Sequence, residues 1–166
     1  MSWEKIDYEV LAAPAASISI SVPTPYDFYR ITAYIVNDAG SAEVVSVRFN
    51  ADSGANYSRQ RVSANDTFIA GARATGATEI QVIGLGSVEV SKTGAFSAIV
   101  AKPAAGVKAQ IVGQSGYDAT AVASPLLELF GGEWNNTADE VTAVAVVATT
   151  NFDTGSSFLL EGLSLS

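Results

Sequence analysis

The chain contains no cysteine and no histidine, and only 16% of its 166 residues are charged. The first absence excludes disulfides and thiolate metal sites, so the fold rests on packing and backbone hydrogen bonding. The second removes the commonest general base, every histidine-containing triad, and the imidazole ligands of zinc, copper and non-haem iron sites. Long apolar runs are missing as well: the longest, Val141–Ala148, falls far short of the roughly 20 residues a membrane helix needs. Met1-Ser2-Trp3-Glu4-Lys5 lacks the basic start and apolar stretch of a secretory signal. Synthesis in a cytoplasm is therefore expected, and a membrane partner is not. Nine Lys and Arg, scattered along the sequence, stand against 17 acids for a net charge of −8, which disfavours nucleic acid as a partner.

What the chain does have is a 48% share of apolar residues, enough for a sizeable core in one domain spanning 1–166. Ala, Ser, Thr, Val and Gly dominate, so much of the surface carries small, weakly polar side chains of the kind that face other protein. Apolar residues recur at period two or in short β-branched runs bounded by Gly, Pro, Asn, Asp or Ser, which predicts strands. Ile6, Tyr8 and Val10 alternate with charged residues, and Ile18, Ile20 and Val22 alternate with Ser, so each segment is expected to bury one face. Tyr29–Val36 and Val44–Phe49, joined by Asn37-Asp38-Ala39-Gly40-Ser41, read as an antiparallel hairpin. Further strands are predicted over Thr78–Ile83, Ser87–Ser91, Phe96–Ala101, Val107–Val112, Leu126–Phe130, Val141–Ala148 and Phe158–Leu163. Helix competes over Ala119–Phe130 and Ala138–Ala148, but the Val-rich period of the second and Pro125 in the first favour strand. The expected fold is all-β: an antiparallel β-sandwich, jelly-roll-like, with little or no helix.

Reactive motifs are nearly absent. Asp52 with Glu128 or Glu133 could in principle form a glycosidase pair, but nothing places any two at a working separation, and solvated loop acids are the favoured reading. Asn50, Asp52 and Gly54 faintly resemble an oxygen-ligand calcium loop, yet the sixth and twelfth positions hold Ala55 and Arg61 instead of the required Gly and Glu. No metal, cofactor or catalytic residue is expected. Gly84-Leu85-Gly86 does not extend to a dinucleotide fingerprint and reads as a turn; Gly113-Gln114-Ser115-Gly116-Tyr117 lacks the last Gly of a nucleophile elbow and reads as a loop. Sequons at Asn56, Asn65 and Asn135 are given no role.

The most specific feature is the corner Arg48-Phe49-Asn50-Ala51-Asp52-Ser53-Gly54-Ala55-Asn56-Tyr57. Asn50, Asp52 and Ser53 can bond backbone amides in Asx and ST turns, Gly54 can take positive φ, Asn56 leads into Tyr57, and Tyr57 can pin the returning strand. Arg48 is expected to tie the corner together through an ion pair with Asp52. Trp134, with Tyr26, Tyr29, Tyr34 and Tyr57, could form a sugar-stacking platform to which Tyr117 adds a further aromatic, although core and corner packing is favoured.

Val47-Arg48-Phe49-Asn50-Ala51-Asp52-Ser53-Gly54-Ala55-Asn56-Tyr57, followed by Trp134-Asn135-Asn136-Thr137, Val141-Thr142-Ala143-Val144 and Asn151-Phe152-Asp153-Thr154-Gly155-Ser156, resembles a family of tailed-bacteriophage virion proteins. The resemblance spans about residues 28–163; it departs at Leu160-Glu161-Gly162, where the family favours Leu-Tyr-Gly. It implies a jelly-roll-like sandwich on the phage particle. The small size favours a capsid decoration (cement) protein on the outer head surface, a homotrimer bridging major capsid subunits, over a tail-associated receptor-binding module that takes glycan. Residues 1–12, with Trp3, Ile6 and Tyr8, form the candidate intersubunit attachment strand, its alternative being an ordinary first strand of its own sandwich.

Overall fold

The computed structural model describes residues 2–23, 26–37, 43–65, 68–88, 92–101, 106–118 and 125–165. Among them there is no helix. Twelve strands are present: β1 (Glu4–Val10), β2 (Ala15–Ser21), β3 (Phe28–Asn37), β4 (Glu43–Phe49), β5 (Tyr57–Ala64), β6 (Ile69–Ala77), β7 (Ile80–Val88), β8 (Lys92–Ala101), β9 (Ala109–Tyr117), β10 (Leu126–Trp134), β11 (Ala143–Phe152) and β12 (Ser157–Leu163). They form two antiparallel sheets packed as a sandwich, one in the order β1-β12-β3-β8-β9-β10-β5-β6 and the other β2-β11-β4-β7.

The pairings nest. β5 pairs with β6, β4 with β7, β3 with β8, β2 with β11 and β1 with β12, and successive pairs alternate between the two sheets. This is a hairpin ribbon rolled into a jelly roll, with β9 and β10 inserted after β8. Rolling explains why β3 and β4 do not make the expected hairpin: neighbours along one arm of the ribbon go to opposite sheets, and residues 38–42 of their connection lie outside the described residues.

Inward-facing residues of both layers make one core, whose largest fully buried side chains include Trp134, Tyr29, Tyr57, Phe49, Phe152 and Phe158. Phe152 and Phe158 meet edge-on at 5.1 Å, a geometry that adds to their area burial. Ile18, Ile20 and Val22 are buried, as their alternation with Ser predicts. Ile6, Tyr8 and Val10 do not share one buried face. A bulge between Lys5 and Asp7 inserts Ile6 as an extra residue, so Tyr8 pairs with outward-facing Leu159 and Val10 with Ser157, while Asp7 and Glu9 take the inner positions. A one-residue slip moves every later side chain to the other face.

Other boundaries also differ. Gly84-Leu85-Gly86 lies inside β7 and Gly113–Tyr117 inside β9, so neither is a turn or loop. Gly113 is needed there because a Cβ would collide with the Ser97 carbonyl and lie 2.8 Å from the Ala98 Cα. The predicted strands Thr78–Ile83 and Ser87–Ser91 merge into β7 as far as Val88, and 89–91 lie outside the described residues. β5 and β6 were not predicted. Tyr57, Arg59, Arg61 and Ser63 share the inner face of β5, and β6 is Ala- and Gly-rich and almost wholly exposed, so neither carries an apolar period.

Candidate functional site

The corner between β4 and β5 reverses the chain through Asn50 and Ala51, both left-handed at φ 51° and 56°. Two successive positive φ values with a 2.9 Å bond from the Asp52 amide to the Phe49 carbonyl describe a tight turn of the mirror-image type I class. The positive φ therefore falls on these two residues and not on Gly54, which is absent from the positive-φ positions. Asn tolerates this region because its short polar side chain bonds locally. Asn50 Oδ1 accepts the amides of Thr142 and Ala143 at 2.8 and 3.0 Å, and its Nδ2 donates to the Glu140 carbonyl at 2.7 Å, tying the turn to the start of β11.

Asp52 is the centre of the corner. Its Oδ1 accepts the Gly54 amide at 2.8 Å, closing an Asx turn, and its Oδ2 accepts Asn56 Nδ2 at 2.9 Å and Trp134 Nε1 at 2.7 Å. The indole bond, helped by the Asn56 and Gly54 donors, holds the Asp52 carboxyl below its ordinary pKa. Beneath it the Tyr57 hydroxyl takes the Phe49 amide at 2.9 Å and lies 3.1 Å from the Asp52 carbonyl, while burial pushes the phenol up to about 12. Phe49 packs its ring 6.0 Å from Trp134 and 6.4 Å from Tyr57. The corner thus locks β4 and β11 of one sheet to β5 and β10 of the other.

Arg48 is not part of that lock. It pairs with Glu79 at 2.7 Å, and Ser46 Oγ shares the same carboxylate at 3.0 Å. The left-handed turn swings the Asp52 carboxylate away from Arg48 and toward Trp134 of the facing sheet. Both oxygens of Asp52 are engaged by the chain's own donors, in three bonds that hold the corner together.

The other sequence candidates separate. Trp134 and Tyr117 are 1% and 3% exposed, so neither is a stacking platform for glycan. Tyr29 and Tyr57 are fully buried, while Tyr34 is exposed on its own. Glu128 faces inward, taking Ser63 Oγ at 2.5 Å and the Gly84 amide at 2.9 Å, whereas Glu133 faces outward to Lys108 at 2.8 Å. None of these partners is shared with Asp52, which bonds Gly54, Asn56 and Trp134, so no bond ties either acid to Asp52 as a glycosidase pair. Ser115 is buried, and its hydroxyl has no hydrogen-bond partner among the described residues. No group of three or more Asp and Glu that could hold a metal ion occurs among the described residues.

No protein-family model, curated protein or solved structure matches this chain.

β1 lies at one edge of the eight-stranded sheet, paired to β12 of its own chain. Trp3 sits under the Arg30 guanidinium at 4.8 Å, and Arg30 is clamped by Glu161 at 2.6 and 2.8 Å. Ile6 packs against the core and Tyr8 is exposed. Sequence reasoning missed the outer face of the large sheet. There Leu127, Leu129 and Val112 are 62%, 63% and 62% exposed, with Val62 and Ile99 beside them. Ala95, Ser97, Gln114 and Gly116 floor a trough of about 610 Å³ next to the two leucines. Register places Val62, Leu129, Gln114, Ser97 and Thr32 in one row across five strands, and the adjacent row runs Ala64, Leu127, Gly116, Ala95, Tyr34. None of these ten residues is charged. The alternation of Leu127 and Leu129 with Glu128 was the available clue, masked because the buried partner in the alternation is the carboxylate.

Proposed function

We propose that this chain is a structural protein of a tailed-bacteriophage particle: a decoration protein on the outer head surface that bridges major capsid subunits and acts by adhesion, without turnover. The observation that carries this reading is the uncharged, two-row apolar patch on the outer face of the eight-stranded sheet, in a protein with 17 acids and a net charge of −8. Exposed apolar patches of this kind mark protein contact. The corner lock supports the reading from the other side, since the best-defined polar cluster holds two sheets together, with both carboxylate oxygens bonded within the chain. The resemblance of residues 47–57 and 134–156 to phage virion proteins supplies the setting.

Magnitudes favour many copies over one. Burying the remaining exposed part of Leu127, Leu129 and Val112 is worth about 1–2 kcal/mol each, against about 4–15 kcal/mol for the lost freedom of one docking body. A single copy binds weakly; linked copies, a homotrimer in this reading, bind with multiplied strength.

Cryo-electron microscopy of intact virions tests the location. Density on the head lattice is the expected result, and density confined to the tail overturns it in favour of a tail-associated module. With heads lacking this protein, added wild type co-sediments, whereas Leu127→Asp/Leu129→Asp, folded by circular dichroism, stays in the supernatant.

A further inference from the structure

Among the described residues the eight-stranded sheet ends in two unpaired edges of opposite character. β1 carries Glu4, Asp7 and Glu9 against a single Lys5, whereas β6 has Arg73 as its one charge and is backed on β5 by Arg59 and Arg61. Neither edge has the proline that usually blunts an exposed strand, and β6 is nine residues long and made mostly of small residues. We propose that β1 of one copy pairs with the free edge of β6 in a second copy, head to tail, so that the large sheet runs on from subunit to subunit. This deepens the reading above, resting on it only for the setting, and names the partner of the edge strands as the chain itself.

Strand direction fits. All neighbours in the sheet are antiparallel and the number of strands is eight, so β1 and β6 run in opposite directions. A neighbour placed beside β6 in the same orientation therefore presents its β1 antiparallel to it, and the ladder continues without reversal. Such a heterologous contact propagates around an axis and closes into a ring when the rotation allows.

Side chains fit on the shared inner face. The bulge at Ile6 turns Glu4, Asp7 and Glu9 all to that face, opposite Gly162, Leu160 and Phe158 of β12. On β6 the inner positions are Ala70, Ala72 and Ala74, opposite Ser63, Arg61 and Arg59 of β5. Alanines on the last strand leave a low shelf across which the Arg59 side chain can meet the incoming acids, Arg61 being turned to Gln81 and Glu128. Among the described residues Glu9 and Arg73 make no ion pair, and the hydrogen bond of Arg59 goes to the Glu79 carbonyl at 3.4 Å and not to a carboxylate. Burial and the neighbouring Arg61 both act against the charge of Arg59, which a second subunit's carboxylate would relieve.

The alternatives pair like with like. A two-fold contact of β6 with β6, centred on the strand, sets Arg73 against Arg73, and β1 with β1 sets the acidic inner face against itself. Like charges directly opposed in a ladder are destabilising. Charge thus selects the head-to-tail contact over both symmetric ones.

The test is sedimentation velocity of the full chain with a charge swap. Wild type assembles above its 17.1 kDa monomer mass, and assembly weakens as salt rises. Asp7→Lys/Glu9→Lys and Arg59→Glu each lose self-association by about 100-fold or more, and an equimolar mixture of the two regains it. Arg59→Gln gives a partial loss in the same direction should the charge-reversed variant fail to fold. Because the chain has no cysteine, Asp7→Cys and Ala72→Cys supply a geometric check: oxidation of the mixture yields a covalent dimer that neither variant forms alone. A wild type that stays monomeric, an assembly indifferent to both swaps, or one strengthened by salt overturns the proposal. A monomer that still binds heads would sink this contact and leave the capsid reading standing; a ring that binds no head would do the reverse.

Discussion

Replacing Asp52 by Asn changes one atom and keeps the side-chain volume, so its effect reads the corner's electrostatics alone. Asp52 accepts from Gly54 at one oxygen and from Asn56 and Trp134 at the other. An amide must turn its NH2 toward one of these sets. The cheaper choice keeps the carbonyl on the Trp134 side, because that indole is in the core and the Gly54 amide is exposed to water. The bond to Trp134 then falls from the about 1.5–3 kcal/mol of a charged acceptor toward about 1 kcal/mol, and the Gly54 bond, about 1 kcal/mol, is lost. The sum is about 2 kcal/mol, or about 4–8 °C in Tm for a domain of this size. Asp52→Ala leaves Trp134 Nε1 unpaired as well and costs about 3–5 kcal/mol. Urea unfolding followed by tryptophan fluorescence measures both, in a Trp3→Phe background that leaves Trp134 as the reporter. The pH dependence carries the sharper test. The folded-state pKa of Asp52 is lowered, so its contribution is complete above the unfolded value of about 4 and disappears as pH falls through the folded one. The gap between wild type and Asp52→Asn must therefore shrink in acid. A gap below about 0.5 kcal/mol at neutral pH, or one unchanged from pH 7 to pH 2, refutes the lock.

Tyr57→Phe leaves the buried Phe49 amide without its acceptor and is expected to cost about 2–3 kcal/mol by denaturant unfolding. Tyr29 and Tyr57 are both pushed up to about 12, so the stability they confer is complete below pH 10 and is lost as pH rises through about 12; absorbance titration should find these two phenols ionising with alkaline unfolding. Gly113→Ala forces a methyl against the Ser97 carbonyl and the Phe130 ring, and thermal melts should report about 1–3 kcal/mol of destabilisation or more.

Legibility in the sequence followed what each residue type can disclose. Period two located β3, β4 and β12 to within a residue and found the inner face of β2, because their inward sets, such as Ile18 with Ile20 and Phe158 with Leu160, are apolar. It was blind to β5, whose inner face holds two arginines, and to β6, which has almost no inner face to bury. It placed the corner and the pinning role of Tyr57 correctly but gave Arg48 the wrong partner, since Glu79 is 31 residues away and only the rolled topology brings it near. Periodicity also cannot state which sheet the next strand enters, hence the failed β3–β4 hairpin. Arg73 comes beside Gln60, on the face opposite to Arg59 and Arg61, only when β5 and β6 pair.

Glu4 lies opposite Gly162 in the β1–β12 ladder. Whatever polypeptide is attached to either end consequently departs from one corner of the body, far from the β5–β6 hairpin at the other flank. A short bridge between the two ends would yield a circular permutant, with new ends opened in the exposed connection at Ala138-Asp139, and the same corner offers a place to display cargo without touching the leucine-rich face.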